Sequence, residues 1–340
     1  MSKNVTSMHM QERLARKIVR RTTIRGTLLV VISAIFWATS SACGQYLMNS
    51  RGVPAEWLAS TRILASGFIL TLVGVLNNRG AAKELIHRPK DIITIILYGT
   101  VGLMMAQFTF LKAVNASNSA TATVLQYLGP IMIVIFVCVK NLKMPTVSEA
   151  VSIVLAVAGV FLLATHGNPT ELAISKDALI FGFLAALGMV FYSVLPVNVA
   201  PRYGSITVAG LGMLAGGIVE MCFVRPWTYD VSLDAMGILA WCAVTIIGTA
   251  LGYTIYAQGV ADIGSVKAGT IASIEPVTST LFTLLMGTSL VFWDFAGIAA
   301  IIATIFILSR PSKQIKISFH HPSHGKNKSR EPKNEEATVK

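Results

Sequence analysis

The sequence predicts an all-α integral membrane protein of ten transmembrane helices, built as two inverted five-helix repeats. Three observations predict it: apolar stretches recur along the whole chain, the loop charge is one-sided, and the chain resembles itself at a fixed offset. Charged residues make up only 13% of the 340 residues and hydrophobic ones 54%, whereas a soluble domain carries about 25% charged residues. Stretches near the ~20 residues that cross a bilayer occupy 27–47, 56–76, 92–113, 119–139, 147–164, 178–199, 207–223, 235–256, 265–286 and 291–309. Lipid offers no partner to backbone amides, and none of these runs alternates as a barrel strand does, so each is a helix.

The loops orient these spans. With the N-terminus inside, the cytoplasmic segments hold seven lysines and arginines in 1–25, then Arg79, Lys83, Arg88, Lys90, Lys140, Lys143, Arg202 and Lys267, and eight more from Arg310 onward. Only Arg51, Lys112, Lys176 and Arg225 fall on the other side. This asymmetry is the positive-inside pattern and accounts for the +12 net charge without nucleic acid. Both termini are expected in the cytoplasm of a bacterial cell, with the protein multi-pass in its plasma (inner) membrane.

Four segments follow. Residues 1–25 form a basic N-terminal segment in which 11–25 suits a short amphipathic helix on an anionic membrane surface. Residues 26–166 form the first repeat and 177–309 the second. Residues 310–340 read as a disordered basic tail, too polar to bury a core. His320, His321 and His324 in that tail lack a fourth ligand, so no metal is expected, and no cofactor either. Cys43, Cys138, Cys222 and Cys242 fall in or beside spans and read as small buried hydrophobes, with no disulfide framework.

The repeat is read by laying FLKAVNASNSATATVLQYLGP (110–130) over YAQGVADIGSVKAGTIASIEP (256–276). Ser119 meets Ser265, Ala122 meets Ala268 and Pro130 meets Pro276, at an offset of 146 throughout. Phe36 and Trp37 likewise answer Phe191 and Tyr192. A unit of five helices is odd, so its second copy crosses the membrane upside down. Inverted repeats of this kind are a hallmark of secondary transporters, because two near-equivalent halves can exchange conformations around a shared site.

The stretch IASIEPVTST sets a carboxylate, Glu275, directly before Pro276 inside an apolar run. Proline lacks an N–H and blocks the carbonyl four residues back, so Pro276 frees Ala272 C=O and Pro130 frees Gln126 C=O. At a rise of about 1.5 Å per residue, both prolines lie about 18 Å deep, from opposite faces. Free carbonyls at that depth are tolerable only against protein or a wet cavity, and Glu275 must face the same cavity. There it binds a cationic part of a substrate, carries a coupling proton, or caps the broken helix as a structural acid. Arg62 is the other charge well inside a span; it can attract a substrate carboxylate, or serve structurally by snorkelling outward or clamping Glu56. Gly212 and Gly216, and Gly248 and Gly252, follow the small-xxx-small pattern of close helix packing.

The paired segments NSATATVLQYLGP and GSVKAGTIASIEP, the Phe36–Trp37 pair and Arg62 resemble the EamA domains of the drug/metabolite transporter superfamily, twice over about 280 residues. HGNPT (166–170) and TATVLQ (121–126) are similar to its YicL-like bacterial subgroup. The resemblance implies a central cavity lined mainly by the first, third, fourth, sixth, eighth and ninth spans. It also implies export of amino acids, other metabolites or drugs. In those spans Trp37, Gln107, Gln126, Tyr127, Tyr192, Tyr253 and Tyr256 outline a mixed apolar and hydrogen-bonding pocket, with Tyr253 and Tyr256 on one helix face. The sequence departs from the family where Lys140-Asn141 and Gly287-Thr288 replace the usual Gly-Glu, and where Ala38 replaces a Gly.

The expected partners are thus a small-molecule substrate, protons where transport is coupled to them, and the lipid bilayer. A multidrug or lipid exporter of the same fold is the alternative. A membrane-embedded enzyme is disfavoured, since HExxH, GxSxG and Walker A motifs and a clustered acidic pair are all lacking.

Overall fold

The computed structural model describes residues 2–140, 142, 144–168 and 172–308. Every regular element among them is helical. Eight stretches are long and apolar enough to cross a bilayer: Arg20–Arg51, Ala55–Asn77, Pro89–Ala116, Ser119–Phe136, Val147–Thr165, Lys176–Val197, Ser205–Thr228 and Ala235–Ile263. The ninth span joins Ser265–Ala272 to the shorter apolar helix Ile274–Leu285, and the tenth is Phe292–Leu308.

The first helix differs from expectation. It runs unbroken from Ser2 to Arg51, so 11–25 continues the first span instead of forming a separate surface helix. No Gly or Pro precedes Gly26 to interrupt it. Arg25, at the end of the basic stretch, grips Asp262 at the end of the eighth span through Nε and Nη2, at 2.8 and 2.7 Å. The tail from 309 to 340, with His320, His321 and His324, lies outside the described residues. The cysteines also depart from expectation: Cys43, Cys138 and Cys242 are only partly buried and Cys222 is exposed. A bundle in lipid turns apolar residues outward as readily as inward, so hydrophobicity alone does not place them in the core.

Packing follows the inverted repeat. The first span lies on the eighth and ninth, and the sixth lies on the third and fourth, as two copies related by a twofold axis require. The second packs on the seventh, the fifth on the tenth and the fourth on the ninth, each joining one repeat to the other. Small residues permit this closeness. A Cβ on Gly99 would stand 2.0 Å from Gly212 O, so the third and seventh spans touch backbone to backbone.

The fourth span breaks between Ser119–Gln126 and Gly129–Lys140, and the ninth between Ser265–Ala272 and Ile274–Leu285. Each break sits just ahead of its proline. The residues that absorb the change are Tyr127 (φ −69°, ψ 2°) and Ser273 (φ −63°, ψ −2°), which are equivalent in the repeat. A second pair of irregularities has no proline to announce it. The third span is π-helical over Tyr98–Met104 and the eighth over Ala243–Leu251, again at equivalent positions. Widened turns of this kind gather at functional sites.

Candidate functional site

The breaks and the π-helical turns face one cavity of about 550 Å³, in the range that holds a small metabolite. Trp37, Arg62, Gln107, Gln126, Tyr127, Tyr192, Tyr253, Tyr256 and Glu275 all border it, as does Pro130; Pro276 is buried behind the wall. The six spans singled out above each contribute, and the second, seventh and tenth add Arg62, Leu70, Ser205, Ile206, Ala209, Ile305 and Leu308.

The carbonyl freed by Pro276 has found its partner. Tyr127 Oη lies 2.8 Å from Ala272 O and 3.0 Å from Glu275 Oε2, so a residue at the break in one repeat closes the break in the other. The hydroxyl has one proton for two acceptors. When it donates to Ala272 O, the contact with Glu275 uses a proton of the carboxyl itself. Glu275 is 8% exposed, at the cavity edge and not sealed in the helix.

Beside it stands an aromatic cluster. Trp37 meets Tyr253 edge-on at a 5.5 Å centroid distance and Tyr256 at 5.0 Å, which puts the two tyrosines of one helix face on the same indole. This requires Gly252, whose added Cβ would lie 2.8 Å from Trp37 Nε1. In the other repeat Tyr192, the counterpart of Trp37, packs against Gly102 of the third span's π-helical turn.

Arg62 does not clamp Glu56, which Lys112 takes instead as its ion-pair partner. The arginine is 5% exposed, reaches Gln107 O through Nη2 at 3.4 Å, and keeps Nε without a partner. Gln107 Nε2 and Trp37 Nε1 are likewise buried donors without an acceptor among the described residues. Three unsatisfied donor groups therefore border the cavity, each of which favours an acceptor arriving in it.

The sequence reading missed Glu220, which lies in the seventh span fully buried, with neither oxygen hydrogen-bonded among the described residues. The available signal was an acid in the apolar run AGGIVEMCFV, four residues short of its end. An acid near the end of a span is expected to face the interface or a wet cavity; here the spans around it close over it.

The cavity reaches the ends of several helices, at Ser205 in the first turn of Ser205–Val224 and Leu308 at the close of Phe292–Leu308. The other ends of the spans are closed. Ser119 Oγ lies 3.1 Å from Ser279 Oγ and 3.0 Å from Thr283 Oγ1, and Ser119 N donates to Gln45 Oε1 at 2.7 Å. All four residues are buried, and they tie the start of the fourth span to the second half of the ninth.

Residues 24–165 and 177–310 each match the EamA-like transporter family. The chain is 33% identical over 293 residues, 86% of its length and 97% of the relative's, to an uncharacterized inner membrane transporter, YicL, of Salmonella typhimurium. It is 23% identical over 305 residues, 87% of its length and 98% of the relative's, to an uncharacterized transporter, YwfM, of Bacillus subtilis. A solved crystal structure covering 83% of this chain and 96% of its own superposes with a TM-score of 0.56 at 18% identity and shares the fold. Two matching domains and a relative aligned over nearly its whole length lead to one conclusion: the protein is a multi-pass membrane transporter, not an enzyme, and belongs to the EamA-like transporter family.

Proposed function

We propose that the protein exports a small zwitterionic or aromatic metabolite, an amino acid or a close relative, across a bacterial inner membrane by alternating access between its two repeats. One observation carries this reading. Arg62 and Glu275, opposite in charge, border the same 550 Å³ cavity without pairing to each other, beside the Trp37, Tyr253 and Tyr256 cluster. A basic and an acidic side chain that border one cavity without pairing to each other suit a substrate that brings the complement of both.

In this reading Glu275 receives the ammonium group, held in place by Tyr127, and Arg62 receives the carboxylate with Gln107. The aromatic cluster and Tyr192 meet the side chain, and Gln126 offers a further hydrogen bond. Pro130 and Pro276 are the hinges. The helix ends at which the cavity opens belong to the side rich in lysine and arginine, so both termini and the open mouth are assigned to the cytoplasm. The name of the Salmonella relative supports the inner-membrane assignment.

Counterflow in proteoliposomes with pooled amino acids and related metabolites, repeated across a pH gradient, tests the reading. Saturable exchange of one zwitterionic class is expected, weakened in Glu275→Gln. Exchange of lipophilic cations or lipids alone supports the multidrug or lipid exporter instead. Failure of every pooled compound to exchange through folded protein overturns the assignment.

A further inference from the structure

Glu220 is a carboxylate for which the cavity chemistry above has no use. It is 0% exposed and does not border the cavity, and no donor of the described residues reaches either oxygen. An acid so placed needs either a counter-charge or a proton.

The helix register supplies the counter-charge. The second and seventh spans run antiparallel along a glycine seam, in which a Cβ on Gly210 would strike Thr71, one on Gly67 would strike Leu214 and one on Gly217 would strike Leu64. Continued by one turn, this register sets Glu220 beside the turn that carries Arg62. Both side chains are buried there, and neither belongs to a salt bridge among the described residues.

Other titratable groups on the helices packed against the seventh span lie elsewhere. Tyr253 borders the cavity from the eighth span, and Tyr98 from the third. Asp91, Arg202 and Tyr203 bond one another near the start of the seventh span, about 20 Å away along the helix. Arg62 thus stands with Glu220 behind it and the cavity in front, and its Nε is free.

We propose that Glu220 is the resident counter-ion of Arg62, and that a substrate carboxylate takes the guanidinium from it while one proton, given up by a hydronium ion of the cavity water, passes to Glu220 and neutralises it. The charge balances. Before binding, the site holds the Arg62 cation and the Glu220 anion. Afterwards it holds the Arg62 cation, the bound carboxylate and a neutral Glu220 carboxylic acid; one O–H bond of the hydronium ion is broken and one O–H bond of the acid is made. Carboxylate and proton are therefore taken up together, and Glu220 is a positioning and coupling residue that never touches the substrate. This rests on the reading of the cavity as the transport site.

Two measurements on purified full-length protein test it, and the first needs no substrate. In infrared spectra Arg62→Gln should gain a protonated-carboxyl band that Arg62→Gln/Glu220→Gln lacks. If the wild type already shows that band, or if the spectra of the two variants match, the counter-ion relation is wrong.

The second measurement adds pooled L-amino acids, or the corresponding amino-acid amides, to protein in weakly buffered solution. The wild type should take up about one proton per amino acid bound and none with the amides. Glu220→Gln should still bind but take up none, and Glu220→Asp should restore the uptake. Binding without proton release or uptake in the wild type, or equal uptake in Glu220→Gln, overturns the proposal while leaving transport intact. A wild type that neither binds nor exchanges any pooled compound overturns the transport reading, and the carboxylate exchange built on it falls too.

Discussion

Replacing Tyr127 with phenylalanine removes one oxygen and tests whether the fourth span holds the break in the ninth. That oxygen lies 2.8 Å from Ala272 O and 3.0 Å from Glu275 Oε2. A buried acceptor left unpaired costs about 1–3 kcal/mol. Cavity water relieves part of this, because Ala272 and Glu275 both border the cavity, so a loss of about 1–2 kcal/mol is expected. The diagnostic is a double-mutant cycle with Pro276→Ala. An alanine at 276 has an N–H, which can close the helical bond to the carbonyl at 272 and leaves the tyrosine less to do. Tyr127→Phe should then cost about 1 kcal/mol less than in the wild type. Denaturant unfolding of the four detergent-solubilised proteins, followed by helical circular dichroism, measures the coupling. Losses that add to within about 0.5 kcal/mol would show that Tyr127 and the proline break are energetically separate, and the account of the break would fail.

Gly252→Val puts a side chain where a Cβ already lies 2.8 Å from Trp37 Nε1, so the indole must leave its place between the tyrosines; counterflow should fall at least about tenfold with helical content unchanged, since overpacking of this kind costs about 1–3 kcal/mol. Glu56→Gln and Lys112→Gln should each cost under about 1 kcal/mol and show coupling to each other, because the pair is partly exposed. If Glu56→Gln instead couples to Arg62→Gln, the partner assignment is wrong. Ser279→Val and Thr283→Val remove contacts to Ser119 and should raise thiol labelling of a cysteine introduced at the neighbouring buried Ala120; unchanged labelling refutes the role of these contacts in closing that end.

How much could be read in advance differs by interaction type. The breaks at Tyr127 and Ser273 were legible because proline acts on its own backbone, and the repeat doubled the signal. The convergence of Trp37, Tyr253, Tyr256 and Glu275 on one cavity came from resemblance together with the rule that a membrane carboxylate faces inward. The π-helical turns were not legible, since their residues are ordinary helix formers apart from the glycines, and the widening depends on what packs against them. The partner of Glu56 was misread from i, i+6 proximity, whereas Lys112 comes from another span and only the tertiary fold brings it near. Glu220 escaped for the same reason, because burial near the end of a span is decided by neighbouring helices.

The polar contacts at the closed end also break the symmetry of the repeat, and this bears on which conformation is observed. At the offset of 146 that relates the repeats, Ser119 corresponds to Ser265, but Ser279 and Thr283 correspond to Ile133 and Val137. The first pairing supplies hydroxyls from both sides, at 3.1 and 3.0 Å, with Ala120 N donating to Thr283 Oγ1 at 3.2 Å. The inverted conformation would set a serine against two aliphatic side chains at the opposite end, where no such bonds can form. Each buried hydrogen bond contributes about 0.5–1.5 kcal/mol net. Two or three present in one state and lacking in the other bias the resting protein by roughly 1–4 kcal/mol toward the conformation seen here. A substrate must then supply a comparable difference in affinity to invert the protein, which gives Arg62 and Glu275 a second purpose: they reserve strong interactions for the moment at which the closed end has to open.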